Sequence, residues 1–344
     1  MAKKGFALIG AGIWGQTHAK TYASSREVKF VGICDTNLDR AKEVAKKYGV
    51  KHITADYREL LESDSVDAVS IVTPDPYHTE IAVAAAEAGK HVLIEKPLAT
   101  RTEDCLAILR AAKKAGIKLM VDFHNRWNPP FAKIKRALEN GELGTPLAAY
   151  IRLSDTTEVP LKWLPWAAKS SVLWFLGSHC VDALRWVFED EVESVFATSR
   201  STYLRSLGCN TPDFFHSILQ FRKGGSVIME NAWIISENAP IIFDFKFELL
   251  ATKGTCYVNG SHHGMFERYT ATERGYADVA VAPEVHGKPV GFGVESIRHF
   301  IECVVDDKEP LATGLDGLRA TEVLLAVLES CESGAPAKVK LNTV

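Results

Sequence analysis

The first third of the chain alternates short apolar runs with amphipathic segments, and that alternation predicts a parallel sheet wrapped by helices. The apolar runs predict strands at Phe6–Ile9, Lys29–Cys34, Ala68–Val72, His91–Glu95 and Lys118–Asp122. The 3.6-residue periodicity between them predicts helices at Trp14–Ser24, Asn37–Tyr48, Tyr57–Glu62, His78–Ala88 and Thr102–Ala115. Gly49, Gly89 and Gly116 each follow a helical stretch, as C-terminal glycines do. After Phe123 the pattern changes. One more helix is expected at Asn128–Asn140, and from Leu147 strand patterns dominate. Val192–Tyr203, Phe214–Arg222, Ser226–Ser236, Phe243–Ala251, Thr255–Asn259 and Met265–Thr272 read as strands, with a hairpin signal at Lys223-Gly224-Gly225. The end is helical again at Gly293–Val305 and Leu315–Ser333. The expected fold is therefore α/β: an N-terminal doubly wound Rossmann domain over residues 1–122, and an α+β domain over 123–344 with a mainly antiparallel open sheet.

The stretch between the first two strands carries the first chemistry. Gly10-Ala11-Gly12-Ile13-Trp14-Gly15 is a G-x-G-x-x-G fingerprint set between a strand and a helix, and the second strand ends on Asp35, 20 residues past Gly15. Gly10 permits the tight turn, Gly12 lets backbone approach a pyrophosphate, and Gly15 lets the helix lie close to the strand. The helix N-terminus, at Ile13 and Trp14, then offers free N–H groups to phosphate. Asp35 suits an intact ribose 2′-OH and would repel a 2′-phosphate. NAD is thus favoured over NADP, although Arg40 lies close enough to keep NADP in view.

Composition narrows the classes. A chain of 344 residues with 47% hydrophobic and 24% charged residues suits two soluble domains. A net charge of −3 gives no basic footprint for nucleic acid or an anionic membrane. No apolar run is long enough to span a bilayer, and Met1-Ala2-Lys3-Lys4 leads straight into a strand, so a cytoplasmic protein is expected. The seven cysteines are scattered and odd in number, which predicts free thiols. His262-His263 lacks spaced partners, and no metal site is expected.

Three further segments are Thr73-Pro74-Asp75-Pro76-Tyr77-His78 running on to Glu95-Lys96-Pro97, then Gly177-Ser178-His179-Cys180-Val181-Asp182, and Gly314-Leu315-Asp316-Gly317. With the N-terminal fingerprint they resemble the glucose–fructose oxidoreductase / inositol dehydrogenase / MocA family over essentially the whole chain. The residues alone already mark Lys96, a lysine at the carboxyl end of an α/β strand where ligands bind. Charged, it would stabilise a developing alkoxide; neutral, it could accept a hydroxyl proton.

The resemblance implies that Lys96 is the central catalytic residue, with a Lys96–Pro97 bond that is often cis. It also implies that His179 shuttles the substrate proton, where the residues alone favour a structural histidine beside an apolar helix face. Asp182, three residues on, could orient His179 or serve helix packing. Thr73, Pro74, His78, Glu95 and Lys96 join the glycine turn and Asp35 as expected cofactor contacts.

One departure stands out. The family usually carries Asp four residues before the histidine, and here that position is Phe175. Asp122 and Asp155 are the acids that could substitute. Trp163 and Trp166 offer indole faces suited to sugar C–H surfaces, or else anchor the core. Arg126 is placed beside the cleft by the resemblance, and capping is its alternative. The expected substrate contacts are thus Lys96, Arg126, Trp163, Trp166, Phe175 and His179.

The resulting expectation is an NAD-dependent dehydrogenase acting on a secondary hydroxyl of a sugar, sugar derivative or cyclitol, assembled as a homodimer or homotetramer. Two alternatives are a redox-neutral glycosidase or epimerase with tightly held NAD, and a non-catalytic dinucleotide-binding regulator.

Overall fold

The structure, a computed structural model, describes residues 3–261, 266–272 and 274–344. It divides into two compact units: Met1–Trp127 with Val281–Leu318 and Val344, and Asn128–Ala280 with Arg319–Thr343.

The first unit is built on strands β1 (Lys4–Ile9), β2 (Val28–Cys34), β3 (His52–Thr54), β4 (Ala68–Ile71), β5 (His91–Ile94) and β6 (Leu119–Val121). All neighbours pair in parallel, in the order β3-β2-β1-β4-β5-β6. The strands are buried on both faces, so their sequences are continuous apolar runs such as His91-Val92-Leu93-Ile94 rather than alternating ones. Helices α1 (Ile13–Ser24), α2 (Leu38–Tyr48), α3 (Tyr57–Leu61), α4 (His78–Glu87) and α5 (Thr102–Ala115) connect them. Left-handed glycines at 49 and 116 end α2 and α5. The order reverses between β1 and β4, the switch point where ligands bind in such sheets.

The contiguous division at residue 122 differs from the observed one. Residues 281–318 return to the first unit because the apolar face of a later helix, Phe292–Val305, completes its core. Ile297, Phe300, Ile301 and Val304 pack with Phe6, Tyr22 and Leu93, and the Phe6 and Phe300 rings meet edge to face at 5.9 Å.

The second unit opens with α6 (Pro129–Glu139) and β7 (Pro146–Asp155), followed by α7 (Ser178–Phe188). Then come β8 (Val192–Arg200), β9 (Phe214–Phe221), β10 (Ser226–Ala232), β11 (Phe243–Ala251) and β12 (Gly254–Asn259). With a two-residue strand at Ala337–Lys338 they form a seven-stranded sheet, antiparallel except where β10 runs parallel to β7. The strands alternate buried and exposed positions, the pattern of a sheet covered on one face. Phe131 of α6 stacks on Phe245 and meets Phe247 at a tilt, both on that covered face, with centroids 5.4 and 5.1 Å apart.

Four expectations shift. β3 escaped the periodicity because it is only three residues long. The strand expected through Tyr203 stops at Arg200, and Tyr203–Ser206 forms one helical turn instead. The strand expected over Met265–Thr272 shrinks to Glu267–Tyr269, and Met265 lies outside the described residues, as do Met1, Ala2 and the His262-His263 pair. Finally, Val159–Trp163 and Leu173–Gly177 are π-helical turns, which no apolar period announces. All seven cysteines are free. Among the described residues no helix is long and apolar enough to cross a membrane.

Candidate active site

Because β1, β4, β5 and β6 are parallel, the segments leaving their carboxyl ends share one edge of the sheet. The glycine turn leaves β1, Thr73 follows β4, Glu95 and Lys96 follow β5, and Asp122 follows β6. Gly10 has φ +100°, a conformation other residues rarely adopt, and a Cβ there would meet the Val72 carbonyl at 2.4 Å. A Cβ at Gly15 would meet the Gly10 carbonyl at 2.1 Å, so α1 lies against the turn only because both residues are glycine. Gly12 instead faces open space, and no side chain caps α1. Ile13, the first helical residue, is exposed, and Trp14 is half-buried with its ring 5.3 Å from that of His124.

Asp35 is held from several sides. Its carboxylate accepts hydrogen bonds from the Ala11 and Asn37 amides, both at 2.8 Å. Arg40 adds a two-pronged contact at 2.9 and 2.7 Å. Burial works to raise the Asp35 pKa, but these donors outweigh it and hold the carboxyl below its usual range. The residues therefore fit an NAD: an uncapped helix N-terminus, an open approach over Gly12, and a fixed carboxylate at the end of β2. Thr73 Oγ1, buried without a protein partner, adds a group available to a ligand at the same edge.

His78 has another part. It is fully buried, and its two ring nitrogens lie 2.8 Å from the Pro97 carbonyl and 2.9 Å from the Thr73 carbonyl. It braces the loop after β5 to the end of β4, rather than offering a group to a ligand as the sequence suggested. Burial is the main reason its pKa is lowered. The Lys96–Pro97 bond is cis. Lys96 is half-buried, and Glu95 before it is buried.

Arg126 also departs from the expected substrate contact. It is buried, donating to the Leu311 carbonyl at 2.5 Å and pairing with Asp316 at 3.0 Å. Its guanidinium ties the returning segment into the first unit.

In the second unit, the π-turn at Leu173–Gly177 runs directly into α7, which carries His179 and, one turn on, Asp182, both buried. Val181, Leu184 and Val187 turn inward on the same helix. Phe175 sits in the π-turn, half-buried, with ring centroids 6.0 Å from Trp166 and 5.7 Å from Trp233. Trp233 is fully buried and donates its indole N–H to Asp155 at 3.1 Å. Trp163 is 40% exposed, while Trp174 is buried. Of the two acids that could replace the missing family Asp, Asp155 is thus bound to Trp233, and Asp122 stands at the end of β6 beside Glu95 and His18. Sequence reasoning missed Trp233 and His18. The i, i+4, i+8 spacing of Trp14, His18 and Tyr22 on α1 was the available signal for the latter.

Comparison with known proteins agrees with this architecture. Residues 4–123 match a model described as an oxidoreductase family with an NAD-binding Rossmann fold, and residues 131–257 match a GFO/IDH/MocA C-terminal domain. A scyllo-inositol 2-dehydrogenase (NAD(+)) of Bacillus subtilis is 27% identical over 98% of this chain and 96% of that protein. A levoglucosan dehydrogenase of Pseudarthrobacter phenanthrenivorans is 34% identical over 52% of this chain and 50% of that protein. A crystal structure of a probable dehydrogenase from Thermotoga maritima superposes with a TM-score of 0.83 at 25% identity, covering 97% of this chain and 98% of that one. The chain belongs to the Gfo/Idh/MocA family of NAD-binding oxidoreductases.

Proposed function

We propose that the protein oxidises a secondary hydroxyl of a sugar, sugar derivative or cyclitol with NAD, or reduces the matching ketone. The observation that carries this reading is Lys96. It is a half-buried lysine at the carboxyl edge of a Rossmann sheet, in a loop that His78 fastens to the neighbouring strand end. NAD supplies hydride acceptance when bound. The chain's residues do the rest: the N-terminus of α1 and Asp35 hold the cofactor, Lys96 binds the reacting oxygen, and His179 takes or returns its proton, oriented by Asp182. The dehydrogenase names of the relatives support the substrate class, one being an inositol and one an anhydrosugar enzyme.

Cofactor choice has its own test. Asp35→Ser frees Arg40 from its two-pronged partner, and Thr36→Arg adds a second cation. The double variant should narrow or reverse a wild-type preference for NAD, read from the two Kd values. A wild type that prefers NADP tenfold would sink the assignment of Asp35.

Phe175 would set the substrate's outline. Packed between Trp166 and Trp233, its ring presents an apolar wall where the family resemblance expects a carboxylate, which favours a substrate less polar there than inositol. A panel of cyclitols, aldoses and anhydrosugars, scored by NADH absorbance, tests both points. Wild type should prefer the less hydroxylated members, and Phe175→Asp should gain on simple cyclitols. An unchanged substrate ranking would remove Phe175 from specificity.

We further propose that a second copy of the chain covers the open face of the second sheet. Phe196, Ile218 and Ile228 lie directly opposite one another on β8, β9 and β10, each 41–54% exposed.

A further inference from the structure

Beneath the Lys96 loop lies a group of ionisable side chains that the proposed reaction does not use. His18 on α1, Glu95 after β5 and Asp122 after β6 converge, their ligand-type atoms all within 4.8 Å of one another. The His18 Nε2 is 3.3 Å from Glu95 Oε1 and 3.7 Å from Asp122 Oδ2. Its other nitrogen lies 3.0 Å from the Ser70 hydroxyl, which also contacts Tyr22. His18 and Asp122 are fully buried and Glu95 is nearly so.

Neither oxygen of Asp122 receives a hydrogen bond from any amide, amine or hydroxyl. A carboxylate in that state is costly, because nothing replaces the water it lost. As a carboxylic acid it becomes tolerable, since its own O–H can donate to the adjacent Glu95. Two carboxyls this close and this dry share one proton for the same reason that like charges in a common site cannot both ionise.

We propose that Glu95 and Asp122 hold one proton between them, and that the pair is a titratable counter-charge for Lys96. Glu95 is the contact to Lys96 along the chain, and Asp122 is a positioning residue that acts through it. The groups around Asp122 are His18 and Tyr22 from α1, Glu95 following β5 and His124 beyond β6, and Lys96 in turn faces Glu95 and His124. Burial first, and then the Glu95 charge, push Asp122 up to about 7. Burial pushes His18 and His124 down to about 4, so both are neutral when the pair titrates.

The signs follow. When the pair loses its proton its charge goes from −1 to −2, and the Lys96 ammonium is held more firmly. Asp122→Asn leaves Glu95 as the one carboxyl of the pair, so the charge cannot go beyond −1. Whichever limb of the pH–rate profile belongs to Lys96 should then move to lower pH, by about one unit for the loss of a nearby opposite charge. Stability carries a second signature. Folded Asp122 keeps a proton that the unfolded chain releases at about 4, so this residue makes stability fall as pH rises from about 4 to about 7. His18 and His124 act oppositely between about 4 and 6.5, since the unfolded chain protonates them first. Only the difference between wild type and Asp122→Asn isolates the pair, and the variant should gain relative stability above pH 7.

The kinetic arm rests on Lys96 being the group that binds the reacting oxygen; the spectroscopic arm does not. Infrared difference spectra of the full-length, cofactor-free protein should show a protonated-carboxyl band below pH 7 that fades above it and is missing in Asp122→Asn. Absence of that band in wild type overturns the shared proton, and needs no variant to fold. A band that behaves as expected beside an unmoved rate profile overturns the coupling to Lys96. If Lys96→Ala retains near-normal turnover while the band persists, the reading of Lys96 has failed and the shared proton has not. The same three side chains are close enough to hold a cation, so elemental analysis is the remaining arm. About one equivalent of metal in the purified protein, lost in Asp122→Asn, would overturn the proposal, and metal-free protein with the band supports it.

Discussion

Lys96→Ala is expected to lower turnover by roughly a hundredfold or more, the scale of losing a positioned acid–base group, while NAD affinity stays within a few fold. The separation follows from the fold. The glycine turn and Asp35 are anchored by backbone and Arg40 contacts that do not involve the lysine side chain. Lys96 projects from a loop whose backbone His78 fastens independently, so alanine removes the ammonium without releasing the loop. His179→Ala should cost less, because Phe175 replaces the carboxylate expected to assist the imidazole and leaves Asp182 alone to orient it. The measurement is kcat and KM for both variants on one accepted substrate. Near-normal turnover in Lys96→Ala would displace it from the chemistry. A His179→Ala loss as large as that of Lys96→Ala would mean another group already activates the histidine.

Trp233→Ala is expected to be the most destabilising change in the second unit, by about 3–5 kcal/mol for a buried indole. Trp233 is fully buried, backs Phe175 and donates to the buried Asp155. Trp233→Phe keeps the larger part of the ring but loses the pyrrole atoms and the N–H, so it should cost about 1–3 kcal/mol, less than alanine. Urea midpoints of the two variants give the comparison. If alanine costs no more than phenylalanine, packing around Phe175 is loose and that ring is not a fixed wall.

The first unit was legible because its signals are local. A buried parallel strand writes a continuous apolar run, and a glycine turn must be glycine where a Cβ would strike a carbonyl at 2.1 or 2.4 Å. What escaped was non-local. The return of Phe292–Val305 to the first core depends on Phe300 meeting Phe6, nearly the whole chain away. Arg126 reads as a cleft residue in sequence, yet its partners Leu311 and Asp316 come from that same returning segment. His78 reads as a cofactor contact until both of its nitrogens are found against carbonyls. Phe175 was visible as a departure in the sequence, but its neighbours Trp166 and Trp233 come from a short 3₁₀ entry and from the residue just past β10. The His18, Glu95 and Asp122 group draws on three separate elements, and only the sheet order brings them together.

The central claim is net hydride transfer between a carbinol and free NAD. Its most direct test is stoichiometry: purified protein, excess NAD and an accepted polyol, with NADH and ketone quantified together over many turnovers. One NADH per ketone, accumulating well beyond one per subunit, is the predicted result. Product forming while NADH stays at or below one per subunit would contradict it, and would point instead to a redox-neutral reaction on a retained cofactor.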